Sequence, residues 1–207
     1  MQDKTGFLNT AYALENVDET RAFYDKWATT YDQEIADNGY ETPRRCAAAL
    51  AASVPDLNAP ILDLGCGTGL SGLALRQAGF TSIDGCDLSQ GMLDQAAKRN
   101  GIYRALWLAD VSDPFPFQAG TYAHIVAIGV IATTHAPART IDAALNALPS
   151  GGCFVFSLND HTLQDPSFEA RVLENVDTGN AVVLFREYGD HLPGLNMRSN
   201  VYVLQKV

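Results

Sequence analysis

The stretch Ile61-Leu62-Asp63-Leu64-Gly65-Cys66-Gly67-Thr68-Gly69-Leu70 has the residue types and spacing of a ligand-binding bend. An apolar run of strand type opens into three glycines at alternate positions, and a helical pattern follows. Glycine lets backbone approach a ligand closely, because no Cβ intervenes and positive φ is accessible. In an open parallel sheet such a bend lies beyond the carboxyl ends of the strands, where ligands bind. Gly67, Gly69 and Gly72 also spell the G-x-G-x-x-G of dinucleotide sites, in which a helix N-terminus faces a pyrophosphate. Gly65 already ends the strand, however, and Asp63 brings a carboxylate toward the ligand. Negative charge repels a pyrophosphate and favours a ligand bearing an ammonium and a sulfonium.

Two further carboxylates recur at strand ends. Asp87, about twenty residues past the glycines, is placed to accept hydrogen bonds from both hydroxyls of a ribose. That role serves any nucleoside cofactor. Its alternative, a helix cap, suits Ser89 better. Asp110 could accept from an adenine amino group while Val111 supplies backbone and apolar contact; the alternative is an exposed loop aspartate.

The four histidines show no metal-ligand spacing, so no metal site is expected. His135, in Ala132-Thr133-Thr134-His135, is the candidate general base, against the reading of a solvated loop histidine. His161 could touch substrate, His124 reads as a satisfied core residue, and His191 falls in a late loop, 189–194. Tyr24, Trp27 and Tyr31 recur at helical steps on one face, as core packing or as the wall of an acceptor pocket. Cys46, Cys66, Cys86 and Cys153 form no close pair, and disulfides are not expected.

These groups need a scaffold to converge. The pattern predicts a helix over 18–35 broken near Thr29–Thr30, then a helix capped by Thr42 with Pro43 first, running to Ser53. Short strands follow at 61–64, 82–86, 103–109, 122–128 and 153–158, alternating with helices at 70–78, 91–98 and 138–148. Asp165 caps a last helix beginning at Pro166, and 181–188 with 198–205 form an antiparallel hairpin. Such alternation implies an α/β fold, a Rossmann-like doubly wound sheet of seven mostly parallel strands with helices on both faces and an antiparallel C-terminal strand.

With these residues placed, the chain resembles class I S-adenosylmethionine-dependent methyltransferases. Asp63-Leu64-Gly65-Cys66-Gly67-Thr68-Gly69 looks like their first motif, and Asp87, Asp110, the strand 122–129 and the turn Leu148-Pro149-Ser150-Gly151-Gly152 fall in the order of the later ones. The match covers roughly residues 56–158. At the front, Tyr24-Asp25-Lys26-Trp27-Ala28-Thr29-Thr30-Tyr31-Asp32 with Gly39-Tyr40 is similar to the Williams–Beuren syndrome chromosome region 27 methyltransferase-like group.

The resemblance implies that Gly65, Cys66 and Gly67 line the methionine portion of S-adenosylmethionine, with Asp63 orienting its amino group through backbone or water. Asp87 would bind the ribose, Leu88 and Met92 would pack on the adenine, and Asp110 with Val111 would read its edge. Gly129 and Val130 would border the sulfonium, and Tyr31 would close over the cofactor. Two departures stand out. Ala123 follows Tyr122 where the family often has aspartate, and the Asn/Asp-Pro-Pro-aromatic signature of nucleobase amino-methylating enzymes is absent.

Composition narrows the function class. Hydrophobic residues at 47% and charged residues at 18% suit a globular chain, and 207 residues suit one domain. The expected organisation is an N-terminal helical cap over 1–55, a cofactor-binding core over 56–158, and a C-terminal helix and hairpin over 159–207. A formal net charge of −10 without any basic run argues against nucleic-acid partners, whose phosphates call for lysine and arginine. Met1 to Asn9 lacks the apolar stretch of a signal peptide, and no run is long enough to span a membrane, so a cytoplasmic protein without membrane contact is expected. The leading expectation is methyl transfer to a small-molecule acceptor by a monomer or homodimer. The alternatives are an NAD(P)-binding oxidoreductase and a non-catalytic S-adenosylmethionine-binding module.

Overall fold

The computed structural model describes residues 17–110, 115, 117–132 and 135–207, with backbone alone at position 17. Three helices come first: α1 (Val17–Trp27), α2 (Tyr31–Asp37) and α3 (Thr42–Ser53). The core then alternates β1 (Ile61–Leu64), α4 (Leu70–Gln77), β2 (Ile83–Asp87), α5 (Gln90–Ala97), β3 (Leu106–Leu108), β4 (His124–Ala127), α6 (Arg139–Ala147) and β5 (Cys153–Asn159). Helix α7 (Pro166–Asp177) leads to β6 (Ala181–Leu192) and β7 (Met197–Lys206).

The seven strands lie in the order β3-β2-β1-β4-β5-β7-β6. Strands β1 to β5 pair in parallel, whereas β7 runs antiparallel to both β5 and β6. The expected fold class therefore holds, down to the one reversed strand. Alternate residues feed two separate cores. Leu62, Leu64, Ile125, Phe154 and Phe156 pack on one face with Ile141 and Leu145 of α6 and Phe168 of α7. Ile61, Val126, Cys153 and Val155 pack on the other with Leu50 of α3 and Leu75 of α4. Burial on both faces is why these strands read as continuous apolar runs.

Local signals set most boundaries. The Ser89 hydroxyl accepts from Met92 N–H at 3.0 Å and caps α5, and Asp165 accepts from Ser167 N–H at 2.9 Å ahead of Pro166 in α7. Other boundaries depart from the sequence pattern. Thr42 is inside α3 and Glu41 holds the cap position; the Thr42 hydroxyl is engaged instead by His191, at 2.7 Å. Strand β3 shrinks to three residues, with Tyr103 ahead of it reaching under the glycine bend. Strand β4 starts at His124, and Tyr122 before it bonds Asp84 at 3.0 Å. His191 is not in a loop but on β6, which extends four residues beyond the predicted 181–188, to Leu192.

His124 is a satisfied core residue: its Nδ1 accepts from Cys153 N–H at 3.2 Å. All four cysteines are buried and free. Among the described residues no cluster could hold a metal ion, and no helix is long and apolar enough to cross a membrane.

Candidate functional site

The order in which strands are added reverses between β1 and β4: β2 and β3 are added on one side of β1, and β4 and β5 on the other. At such a switch point the loops leaving two adjacent strands diverge and leave a crevice. Here they are the glycine bend after Leu64 and the segment Gly129–Val130 after β4. Gly65 has φ +69°, and a Cβ there would fall 2.5 Å from one Val130 methyl carbon and 2.9 Å from the other. Only a bare Cα admits that approach. Gly129 has φ +73°, and a Cβ there would meet the Tyr40 hydroxyl at 2.4 Å.

A cleft of about 910 Å³ occupies the crevice. Of the residues expected to bind cofactor, it is lined by Tyr31, Gly65, Cys66, Gly67, Asp87, Leu88, Met92, Asp110, Gly129 and Val130. Tyr24 and His135 join them. Val111 lies outside the described residues. Asp87 stands at the end of β2, where its Oδ2 accepts from Gly67 N–H at 2.8 Å and its Oδ1 from Ser89 N–H at 2.9 Å. Burial raises its carboxyl pKa, and the backbone bonds from Ser89 and Gly67 oppose that rise. A carboxylate offers about four lone-pair directions, so acceptor capacity remains after the backbone bonds from Ser89, Gly67 and Leu88.

Asp63 does not line the cleft. It is wholly buried behind the bend, where its Oδ2 accepts from Ser71 at 2.5 Å and from Tyr103 at 2.7 Å. Its Oδ1 has no hydrogen-bond partner among the described residues. Burial pushes the carboxyl up to about 6, against the two hydroxyl donors, and Asp87 adds to the rise. Among the described residues, the carboxylates that line the cleft are thus Asp87 and Asp110, alongside the cation Arg21. Asp63 braces the loop from behind, because a strand-end side chain pointing into the sheet meets the helix that follows.

The first two helices are tied onto this loop system by side chains that sequence reasoning passed over. Asp25 accepts from the Ser89 hydroxyl at 2.5 Å and from Gly91 N–H at 3.0 Å. Asp32 accepts from the Thr68 hydroxyl at 2.5 Å and pairs with Arg99, whose Nε donates to the Thr68 carbonyl at 2.7 Å. Tyr24-Asp25 and Tyr31-Asp32 thus act as two copies of one device. Each tyrosine faces the cleft, and each aspartate fastens its helix to the loop beyond a core strand. The repeated Tyr-Asp was the visible signal.

A second, smaller chamber adjoins the cleft and shares Tyr24, Tyr31, Tyr40, Gly129 and His135 with it. Trp27, 1% exposed, lines this chamber and not the first. Its ring stacks on Tyr24 and meets Tyr31 edge-on, with centroids 5.7 and 4.6 Å away. The aromatic face is therefore both core packing and cavity wall. His135 is not a solvated loop residue. Its Nε2 lies 2.6 Å from the Tyr24 hydroxyl, and burial lowers its pKa to about 4. His161 is exposed and lies on neither cavity, which sets it apart from the expected substrate contacts. Tyr40 and His191, both missed in the sequence, line the second chamber, with rings edge-to-face at 5.2 Å.

Residues 61–152 match a family model described as a methyltransferase domain. Methyltransferase-like protein 27 of Homo sapiens is 33% identical over 162 residues, covering 76% of this chain and 65% of that protein. The 18S rRNA (guanine(1575)-N(7))-methyltransferase of Saccharomyces cerevisiae is 32% identical over 126 residues, covering 54% of this chain and 46% of its own. The chain thus spans less than two thirds of the length of either relative. The solved magnesium protoporphyrin IX methyltransferase of Synechocystis, with bound SAH, shares the fold at a TM-score of 0.65 and 15% identity, over 99% of this chain and all of that one.

Proposed function

We propose that the chain is a class I S-adenosylmethionine-dependent methyltransferase and that it transfers a methyl group from S-adenosylmethionine to a small-molecule acceptor. The carrying observation is the pair of abutting cavities, one on the glycine bend and one among aromatic rings, with Tyr24, Tyr31, Tyr40, Gly129 and His135 as their common wall.

The residues present suit such a cofactor. A Cβ added at Gly67 would meet no atom within 4 Å, so this glycine borders open space, and the lining carboxylates outnumber the lining cations. Asp87 would hold the ribose hydroxyls with its remaining lone pairs, Leu88 and Met92 would pack on the base, and Asp110 would accept from its amino group. Gly65, Cys66 and Gly67 would line the methionine portion, Asp63 would fix that bend from behind, and Gly129 and Val130 would border the sulfur. Tyr31 would close the cleft. When bound, the cofactor supplies a methyl group already activated by positive sulfur.

The chain's own contribution is then alignment and exclusion of water; good alignment alone is worth roughly 7–11 kcal/mol. Tyr24 and Trp27 would orient the acceptor. His135, kept neutral at physiological pH, would take the acceptor's proton where the acceptor carries one, with the Tyr24 hydroxyl fixing the imidazole.

Calorimetry with S-adenosylhomocysteine and with NADH tests the cofactor: preference for NADH would refute the reading in favour of an oxidoreductase. The name of the yeast relative favours a second reading, an RNA acceptor. Against it stand 24 acidic residues facing 14 lysines and arginines, a balance ill-suited to phosphate binding. Methyl-labelled cofactor incubated with a metabolite extract and with 18S rRNA separates the two. Label in rRNA alone would replace the small-molecule reading, and cofactor binding without label anywhere would indicate a binding module.

A further inference from the structure

The second chamber has a chemical character of its own. Among the described residues its lining contains no aspartate, glutamate, lysine or arginine. Aromatic rings line it, and Ser157, Asn159 and His191 bring polar atoms to it. His191 is 4% exposed and His135 is partly buried against Tyr24, and burial lowers both imidazole pKa values to about 4. Both rings are neutral at physiological pH. A formal charge entering this space would lose hydration without meeting a counter-charge.

His191 stands at the end of a chain of hydrogen bonds. Arg45 can only donate, and its Nη1 donates to Ser199 Oγ at 3.2 Å. Ser199 Oγ lies 3.3 Å from Thr42 Oγ1, which lies 2.7 Å from His191 Nδ1. A Thr42 hydroxyl that donates to Nδ1 leaves the neutral ring its hydrogen on Nε2, the nitrogen away from Thr42.

We propose that this chamber is the acceptor site for an uncharged, ring-bearing small molecule, and that His191 selects for it by donating from Nε2 to an oxygen on the ring's substituent. Planar rings gain from the aromatic wall at a low entropic cost. A buried donor left unpaired penalises analogues that lack the oxygen, which makes His191 a specificity determinant. The inference rests on cofactor binding in the adjoining cleft.

The test separates the two. S-adenosylhomocysteine affinity is first measured calorimetrically. The loaded protein, carrying Trp107→Phe so that Trp27 is its one reporter, is then titrated with 4-hydroxybenzamide and with the isosteric 4-hydroxybenzoate, following tryptophan emission. The benzamide is expected to bind at least about tenfold more tightly than the benzoate. His191→Asn keeps an acceptor for Thr42 but has no donor reaching the Nε2 position, and is expected to weaken benzamide binding about tenfold. His191→Gln, which returns a donor near the Nε2 position, is expected to restore most of it. S-adenosylhomocysteine affinity stays unchanged in both variants. Equal or tighter binding of the carboxylate, no response to either probe, or an Asn variant that binds like wild type would overturn the proposal. Loss of S-adenosylhomocysteine binding by the wild-type protein would instead overturn the cofactor assignment.

Discussion

His191→Asn should flatten the acid dependence of folding stability. The native imidazole is pushed down to about 4, chiefly by burial; Arg45 and His161 add to the push and Asp160 opposes it. In the unfolded chain the ring returns to an ordinary value near 6.5. Between these values the unfolded state binds the proton and the native state does not. The stability that neutral His191 contributes is therefore complete above about pH 6.5 and is lost as pH falls toward about pH 4. Linkage with these two values gives a loss of about 2 kcal/mol between about pH 7 and about pH 5. Asp63 works in the opposite sense. Its carboxyl is raised to about 6, so the native state takes up a proton first, and acidification over the same range returns roughly 1 kcal/mol. Comparing wild type with His191→Asn cancels Asp63 and every other group common to both. Urea melts at intervals between pH 7 and pH 5 should show the stability gap between the two proteins narrowing by about 2 kcal/mol as pH falls. A gap that stays constant, or widens on acidification, would refute the claim that His191 is buried and neutral.

Asp87→Ala removes the carboxylate that holds Gly67 N–H as well as the proposed ribose contact, and should weaken S-adenosylhomocysteine binding by about 1–3 kcal/mol in calorimetry. Gly65→Ala should lose both stability and cofactor affinity, because it meets Val130 and sits at positive φ. Adding Val130→Ala should relieve the collision yet leave roughly 1–2 kcal/mol of left-handed strain, measurable by denaturant unfolding of both variants. Asp32→Ala frees Thr68 and Arg99 and should lower cofactor affinity more than global stability, since the pair ties α2 to the loop; equal effects on the two would argue against a clasp. Asp63→Asn should remove the part of the pH dependence opposite in sign to that of His191, steepening the stability loss on acidification.

The sequence by itself determined the αβ alternation, the glycine bend, the capping of α5 and α7 and the reversed final strand. Each is written in near neighbours: alternation over a few residues, a cap two or three positions ahead of its amide, glycines where φ must be positive. It also pointed Asp87, Asp110, Gly129 and Val130 to the cleft they line, because a residue just past a parallel strand has only the carboxyl edge of the sheet to occupy. What a side chain meets across the molecule was decided by tertiary structure alone. Asp63 was legible as a strand-end carboxylate, but which side of the bend it served depended on Ser71 and Tyr103 packing beneath it. His135 was legible as a loop histidine, but its partly buried imidazole beside Tyr24, 111 residues away, was not. His191 was read as a loop residue and instead sits on a strand, bonded to Thr42 across 149 residues. Local patterns carry the backbone's own preferences. Burial, charge state and partnership are properties of the packed interior, and no window of sequence contains them.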